Sequence, residues 1–222
     1  MIATFAPVTT LVRRLRAVLW LGLALATGPL YAQATIAVTS DSLEFPAIAI
    51  GDTTIDSLYV INTNTVENLT VDTLSLIHGT VFTIDTTYSI IIPEDSLKVH
   101  ITYTPSAFGS DVDSLLIISN AANAETLYVY LSGSSPLPTI AASRDSVIFP
   151  AIAVDTSKVD SLFIRNTDTL NVLTVDTLSL VHGTVFALDT TGGEIPAGDS
   201  LKVRVTYSPS AFGTDVDSLL II

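Results

Sequence analysis

A long internal repeat is the feature that most constrains how this chain can fold. Residues 35–118 align with residues 139–222 at a constant offset of 104, and about 53 of the 84 aligned pairs are identical. The fourteen residues from Leu69, LTVDTLSLIHGTVF, recur from Leu173 with one change. A fixed-period repeat of this length is typical of tandem modules. The sequence therefore predicts one small domain made twice, here named repeat 1 (residues 35–134) and repeat 2 (residues 139–222).

A short connection separates the two copies, and we place it at residues 135–138. It belongs to the stretch GSSPLP, Gly133 to Pro138, whose small, polar and proline residues are typical of a semi-rigid linker. Repeat 1 continues beyond Ile118 through SNAANAETLYVYLSGS, whereas repeat 2 reaches only Ile222, the counterpart of Ile118. We therefore expect repeat 2 to lack its last strand, which would leave a strand edge bare, and the sequence to be a fragment of a longer protein.

Short apolar runs rich in Val, Ile and Leu alternate with turn residues within each copy. Their composition favours β-strands, and their spacing has no helical period. Seven or eight strands at a spacing of roughly 8–12 residues are typical of a sandwich. The predicted fold class is all-β, with tandem immunoglobulin-like β-sandwiches. In repeat 1 we expect strands near residues 36–40, 43–49, 55–62, 69–77, 81–86, 96–104, 111–119 and 125–132.

The two copies also indicate which strand faces are buried. In DSLKVHITY, every second residue is apolar, Val99 among them, and the counterparts in repeat 2 are again apolar. The intervening positions stay polar in both copies. Arg165 replaces Ile61, so this side of its strand should face water while Leu58 and Val60 face the core.

The first 34 residues have the three-part layout of a secretory signal peptide. Three arginines precede an apolar run from Ala17 to about Ala26, and the small residues AQA stand at 32–34. The run is shorter than the roughly 20 residues that span a bilayer, which disfavours an uncleaved anchor. We expect cleavage and a mature chain that starts near Thr35 without a membrane span. The expected location is bacterial: secreted, periplasmic or at the cell surface.

Charge and cysteine content argue against several classes of protein. The formal net charge is −13, and an acidic surface repels phosphate backbones, so we expect no nucleic-acid partner. The chain has no cysteine, which removes disulfides, thiolate nucleophiles and cysteine-based zinc sites. It also removes the cysteine that carries the lipid of a bacterial lipoprotein.

An ordered set of packing and turn motifs runs through repeat 1: DSLEFPAIAIGD, LYVINTN, LTVDTLSL and IPEDSLKVHITYTPSAFG. Repeat 2 gives the last as IPAGDSLKVRVTYSPSAFG. This order resembles the ASH/Hydin-like immunoglobulin-type modules, often called choice-of-anchor D domains in bacterial secreted proteins. The resemblance implies a seven- or eight-stranded sandwich related to the major sperm protein fold. It also implies scaffold or adhesion duty, and it transfers no catalytic residues. The residues that carry it are Phe45, Asn62, Pro105, Gly109, Gly133, Phe149, Asn166, Pro209 and Gly213.

His78 and His182 are the strongest candidates for a catalytic or metal-binding role, because each stands at a strand end before a glycine. A zinc site needs about three converging protein ligands. Repeat 1 offers a second histidine only in His100, and repeat 2 replaces it with Arg204. A general base would need a nucleophile or a substrate pocket within reach. We therefore interpret both histidines as strand-terminal residues that bond to turn backbone.

Two pairs of aspartates are the weak candidates for metal ligands: Asp111 with Asp113, and Asp215 with Asp217. Each pair lies on one side of a strand start. Two carboxylates can contribute to a Ca²⁺ site, which takes six to eight oxygens, but no loop of the EF-hand kind surrounds them. The alternative is a solvated strand entry that blocks aggregation. We expect neither a metal site nor a cofactor.

An Asp followed by Ser or Thr and an apolar residue recurs in both copies. Strand patterning explains it, because Asp ends a turn, the hydroxyl faces water and the apolar residue begins the core face. The tripeptide also resembles an O-glycosylation acceptor of some secreted bacterial proteins, and Asn68 begins an Asn-Leu-Thr sequon. The positions are Asp41, Asp56, Asp72, Asp95, Asp113, Asp145, Asp160, Asp168, Asp176, Asp199 and Asp217.

These features predict a module that is not an enzyme: a spacer or adhesion scaffold within a larger surface protein. No Gly-rich phosphate loop, nucleophile elbow or metalloprotease helix is present. The expected partners are other domains of the same longer chain, with surface proteins or glycans as further candidates. Two alternatives stay open. One is a glycan- or peptide-binding module assisted by calcium, and the other is a set of accessory domains of a larger secreted enzyme.

Overall fold

The computed structural model describes residues 33–222. All regular structure in this range is β-strand, numbered β1 to β17 in chain order, so the predicted all-β class is confirmed. The predicted leader, residues 1–34, lies outside the described residues except for Gln33 and Ala34. Ala34 is buried in the core of repeat 1, and its carbonyl accepts a hydrogen bond from the N–H of Ala122. Between residues 33 and 222, no helix is long and apolar enough to cross a membrane.

Repeat 1 folds into two sheets that share one apolar core. The first sheet has the order β1-β3-β7-β5 and is antiparallel throughout. The second has the order β2-β9-β8-β4-β6, in which only the β2–β9 pair is parallel. The strands are β1 (Ile36–Val38), β2 (Ser42–Glu44), β3 (Thr54–Asn62), β4 (Leu69–Leu76), β5 (Phe82–Ile84), β6 (Ser89–Ile91), β7 (Ser96–Tyr103), β8 (Gly109–Ser119) and β9 (Thr126–Ser135).

Alternating side chains of both sheets fill this core, as the sequence pattern predicts. Leu58 and Val60 of β3 are fully buried, and so are Val99 of β7 and Leu115 of β8. The polar positions between them face outward. Removing each such side chain from water contributes about 1.5–3 kcal/mol, and the two-residue period of a strand places each of them on the inward face of its own sheet.

Three aromatic rings pack together in the core of repeat 1. The rings of Phe82 and Tyr103 are stacked at 4.9 Å between centroids, and Phe45 packs against both at 5.6 and 5.7 Å. Gly133 of β9 lies directly against this cluster. A Cβ added at Gly133 would stand 2.5 Å from a ring carbon of Tyr103, so only glycine fits there.

Three local features of repeat 1 differ from the prediction. The strand expected at 43–49 is regular only over Ser42–Glu44, because Pro46 lacks the N–H that a ladder needs. Strand β6 was not predicted, since it has three residues and pairs only with the start of β4. Strand β4 also contains a bulge, where the pairing with β8 shifts between Val71 and Thr73.

Repeat 2 reproduces the first sheet of repeat 1 but not the second. Its four-stranded sheet has the order β10-β11-β16-β14, and Leu162 pairs with Val203 as Leu58 pairs with Val99. The remaining strands form two-stranded pairs, β12 with β15 and β13 with β17. The strands are β10 (Ile140–Ala142), β11 (Lys158–Asn166), β12 (Leu173–Val175), β13 (Leu178–Leu180), β14 (Phe186–Leu188), β15 (Gly193–Ile195), β16 (Ser200–Tyr207) and β17 (Leu219–Ile221).

Candidate functional site

His78 and Asp113 meet where the turn after β4 passes β8. The Asp113 carboxylate accepts hydrogen bonds from the backbone N–H groups of Gly79 at 2.8 Å, Ser114 at 2.7 Å and His78 at 3.1 Å. The Nδ1 atom of His78 lies 3.2 Å from the same carboxylate. The Asp113 side chain is 1% exposed, whereas the His78 side chain is 68% exposed. The buried Asp113 carboxylate therefore contacts an imidazole that is itself largely exposed to solvent.

Two opposing effects set the pKa of Asp113. Burial raises it, but the N–H groups of Gly79, Ser114 and His78, together with the His78 ring, lower it by more. The pKa consequently lies below its ordinary value of 3.8. Three backbone donors hold the carboxylate ionised, so its structural role is to bind the turn backbone to β8.

We name the buried aspartate, its three backbone donors and the neighbouring histidine the corner. Repeat 2 builds the same corner from the equivalent residues. The Asp217 carboxylate accepts from the N–H of Gly183 at 2.8 Å, of Ser218 at 2.8 Å and of His182 at 3.1 Å, and the His182 ring lies 3.2 Å away. The N–H of Gly183 is the largest of the influences that lower the pKa of Asp217 to about 2. Gly79 and Gly183 both adopt a φ near +60°, where a side chain would be strained.

These corners account for both predicted histidines, although not with the expected partner. We expected the rings to bond to turn backbone, whereas each ring bonds to an aspartate. Within residues 33–222, the Asp113 contact is the one side-chain hydrogen bond of the His78 ring. The sequence signal for it was present, because His-Gly and Asp-Val-Asp recur in both copies at the same separation.

The two aspartates within each pair form hydrogen bonds with different partners. Asp113 lies in the buried corner, while Asp111 accepts a hydrogen bond from the Tyr103 hydroxyl at 2.8 Å. Burial, then the Asp111 carboxylate, raise the pKa of Tyr103. Asp215 and Tyr207 form the same 2.8 Å contact in repeat 2. Among residues 33–222, no three His, Cys, Asp or Glu side chains come together as a metal ligand set.

The Asp-Ser/Thr motif has a common local geometry at many of its positions. The carboxylate accepts the N–H of the following Ser or Thr, so the side chain turns back onto its own backbone. The distances are 2.7–2.8 Å. The residues with this contact are Asp56, Asp95, Asp113, Asp160, Asp168, Asp199 and Asp217.

One functional residue escaped the sequence analysis: Asn171, whose side chain joins repeat 2 to repeat 1. Its Oδ1 accepts from the N–H of Ile50 at 3.0 Å, and its Nδ2 donates to the carbonyl of Pro136 at 2.9 Å and to the Ser135 hydroxyl at 3.3 Å. Asn171 is 5% exposed. We name this group the joint; it links the loop after β2 and the end of β9 to repeat 2.

The backbone of Asn171 is fixed within its own repeat. Its carbonyl accepts from the buried Asn166 side chain at 2.8 Å, and its N–H donates to Asp168 at 2.9 Å. That N–H is the largest of the influences that lower the pKa of Asp168. In repeat 1, the equivalent carbonyl of Glu67 accepts from Asn62 at 2.8 Å, but the Glu67 side chain is exposed. The joint is therefore a property of repeat 2 alone.

Comparison with known proteins agrees with this architecture. The family model of the HYDIN/CFA65/VesB-like Ig-like domain matches residues 34–134. The resemblance found in the sequence is thereby confirmed for this part of the chain. None of the curated proteins compared with the chain is similar to it.

Several solved structures are similar to the chain in fold. The ASH/PapD-like domain 7 of human CEP192 is 17% identical, with a TM-score of 0.41, over 53% of this chain and 96% of that domain. WR4, an MSP family member of C. elegans, is 10% identical with a TM-score of 0.34, over 46% and 98%. The E. coli chaperone DraB is 13% identical with a TM-score of 0.35, over 80% and 88%.

Proposed function

We propose that this protein is a secreted, non-catalytic spacer and interaction scaffold in which two sandwich repeats are held as one unit by the joint. The Ig-like fold is that of an interaction or scaffold module. The finer role rests on one observation: the buried Asn171 amide of repeat 2 bonds both to Ile50 of repeat 1 and to Pro136 of the linker. A spacer holds the domains at its two ends at a fixed distance and orientation only if its own modules do not rotate relative to each other.

The strength of the joint can be estimated from its contacts. Two hydrogen bonds connect the Asn171 amide to backbone groups of Ile50 and Pro136. At about 1 kcal/mol net for each, they favour the docked arrangement roughly thirtyfold over a swivelling one. The two prolines of residues 135–138 add stiffness, because each fixes its own φ. Together these effects oppose free rotation between the repeats.

Residue types also support the spacer role over an enzymatic one. The His78–Asp113 pair has the first two members of a nucleophile-activating relay, but within residues 33–222 the ring bonds to no hydroxyl. Its carboxylate is engaged by three backbone donors instead. The duplicated motif is thus suited to fastening a turn.

The proposed location is outside the cytoplasm, in the periplasm or at the surface of a bacterial cell. The three-part leader over residues 1–34 supports it. The absence of cysteine is compatible with a sandwich that holds together by packing alone. The proposed partners are other domains of the same longer chain, and then surface proteins or glycans.

Small-angle X-ray scattering of the chain and its Asn171→Glu variant tests the spacer. This substitution places at the joint the residue type that repeat 1 has at Glu67. We expect the wild-type data to fit one fixed arrangement and the variant to show a broader distribution of distances. Asn171→Ala removes the same bonds without adding a charge and should act in the same direction.

Glu67→Asn is the matched control, because it makes the reciprocal exchange at an exposed position. It should leave the scattering unchanged. Circular dichroism establishes that each variant retains its β-structure. Wild-type data that already require freely swivelling repeats would contradict the proposal, as would identical scattering from wild type and both Asn171 variants.

A further inference from the structure

Positively charged side chains are distributed unevenly between the two repeats. Repeat 1 contains a single lysine, Lys98, and no arginine, whereas repeat 2 contains five lysines and arginines. The five are Arg144, Lys158, Arg165, Lys202 and Arg204. Lys202 is the counterpart of Lys98, and the other four replace uncharged or histidine positions of repeat 1, namely Ser40, Thr54, Ile61 and His100. The gain of positive charge therefore distinguishes repeat 2 from an otherwise closely similar copy.

Three of these cations lie on the outer face of the four-stranded sheet of repeat 2. Arg165 belongs to β11, and Lys202 and Arg204 belong to β16. All three are exposed. Their neighbours Ile164 and Val203 are buried in the core, so the two-residue period of a strand directs the cations outward. We name this surface the cationic face. Its residues are Ser161, Phe163, Arg165, Ser200, Lys202 and Arg204.

The pairing of β11 with β16 sets the three cations in a line. Phe163 lies opposite Lys202, and the neighbouring pairs place Arg165 one row before Lys202 and Arg204 one row after it. Successive rows on one face of a strand are about 6.6–6.8 Å apart. The cations therefore form a narrow strip along two adjacent strands, roughly 13 Å from the first row to the third.

The charged groups of the strip are open to a ligand. None of the four salt bridges between residues 33 and 222 involves Arg165 or Lys202. The Lys202 ammonium lies over the Phe163 ring, 5.9 Å from its centroid, and this contact holds the charge above the sheet. Arg204 makes one exposed ion pair, with Asp189 at 3.2 Å. Such a pair orients the guanidinium but is weak enough to be exchanged for another anion.

We propose that the cationic face of repeat 2 binds a linear acidic polysaccharide whose anionic groups are carboxylates. The two guanidinium groups are planar forks that match carboxylates, and the ammonium acts as a point charge. A polyuronate carries one carboxylate on each sugar ring, so a few consecutive rings reach all three cations. The hydroxyls of Ser161 and Ser200 lie on the same face and provide partners for sugar hydroxyls. The inference rests on the proposed function for the extracellular setting in which the protein meets such a glycan.

A glycan fits the cationic face better than a protein or a nucleic acid does. Strands β11 and β16 are the two central strands of their sheet, so their backbone groups are paired and an extended peptide has no edge to join. Asp189 borders the strip, and the chain as a whole is acidic. A ligand with negative charge spread over a wide surface therefore meets repulsion around the cationic face. A single chain of sugars follows the strip and avoids this repulsion.

Isothermal titration calorimetry of the whole chain with hexagalacturonate, in calcium-free buffer of low ionic strength, tests the proposal. We expect saturable binding at one site per chain, weakened as salt is added. Hexagalacturonate with methyl-esterified carboxylates has the same rings without the charge and should not bind. Hexaglutamate carries the charge on a peptide and should bind about tenfold more weakly or worse, because the central strands leave its backbone without partners.

Exchanges between the repeats assign the site. Arg165→Ile with Arg204→His gives repeat 2 the residues of repeat 1 and should weaken binding about tenfold or more. Lys158→Thr is the matched control, because it removes a charge from the opposite side of β11, and it should bind as wild type does.

The reciprocal exchange, Ile61→Arg with His100→Arg, should create a second site in the same chain. Repeat 1 already has the other polar residues of the cationic face at the equivalent positions, Ser57, Ser96 and Lys98. Each of these substitutions introduces a residue that the other repeat holds at that position, and circular dichroism establishes that the β-structure is retained.

Several results would overturn the proposal: no saturable binding of hexagalacturonate, equal binding of its methyl ester, or equal binding of hexaglutamate, which would indicate an acidic peptide instead. Unchanged affinity in the double variant of repeat 2, an equal loss in Lys158→Thr, or no second site after the reciprocal exchange would overturn it too. The joint is not involved in this experiment. Failure of the spacer proposal in scattering and failure of glycan binding here are therefore separate outcomes.

Discussion

Replacing Asp113 with alanine should destabilise repeat 1 more than any other substitution at the corner. The carboxylate is buried and accepts three backbone N–H groups, from His78, Gly79 and Ser114. Hydrogen bonds to a charged group contribute about 1.5–3 kcal/mol each. The His78 imidazole beside this carboxylate is exposed to solvent. Water can therefore enter part of the space that the carboxylate leaves in the variant. We expect a loss of about 3 kcal/mol in the free energy of unfolding.

Urea unfolding followed by circular dichroism measures this loss, and amide hydrogen exchange assigns it to repeat 1. His78→Asn is the matched control, because the ring is exposed and makes one side-chain contact, with Asp113. Because the His78 side of the contact is open to solvent, we expect the ring to contribute no more than about 0–1 kcal/mol. Asp217→Ala repeats the experiment in repeat 2, where the carboxylate accepts the same three backbone N–H groups and the loss should be comparable.

The reasoning assigns the stabilisation to the backbone donors and little of it to the imidazole. A His78→Asn variant that loses as much stability as Asp113→Ala would refute it. An Asp113→Ala variant within about 0.5 kcal/mol of wild type would do the same, since that is the range of ordinary surface substitutions.

Three further predictions follow from the same contacts. Gly133→Ala should destabilise repeat 1 by about 1–3 kcal/mol, because its Cβ would overlap the packed Tyr103 ring; Ser132→Ala is the control in urea unfolding. Because the pKa of Asp113 is lowered on folding, its stabilisation should be complete above about pH 4 and be lost as the pH falls through the pKa of the folded state. Wild type and Asp113→Asn should therefore converge in stability in acid, and a constant difference would contradict the assignment. Excess Ca²⁺ should leave the thermal midpoint unchanged, because Asp113 is engaged by N–H donors and Asp111 by the Tyr103 hydroxyl; a reproducible rise would favour a calcium site.

Strand positions were largely predictable because the two-residue period of apolar side chains survives in both copies. Val99 and Leu58 could be placed in the core on that ground alone, and both are fully buried. Strand β6 could not, since three residues are too few to show a period. The bulge at Asp72 could not be predicted either, because an extra residue in a strand does not change the composition of that strand in a recognisable way.

The candidate site was harder to predict than the fold. Sequence placed His78 at a strand end and Asp113 at a strand start, but joining them requires knowing that β4 and β8 are neighbours. Asn171 was missed for a different reason. Its counterpart is Glu67, so the position looks like a surface loop, and only the arrangement of the two repeats turns it into a buried contact.

The rotational correlation time of each repeat tests the central claim most directly, namely that two copies of one sandwich form a single rigid spacer. Amide ¹⁵N relaxation of the whole chain gives this time separately for repeat 1 and repeat 2. The structure predicts one common value, that of a body containing both repeats. Two different values, each short enough for a repeat that tumbles alone, would contradict the account.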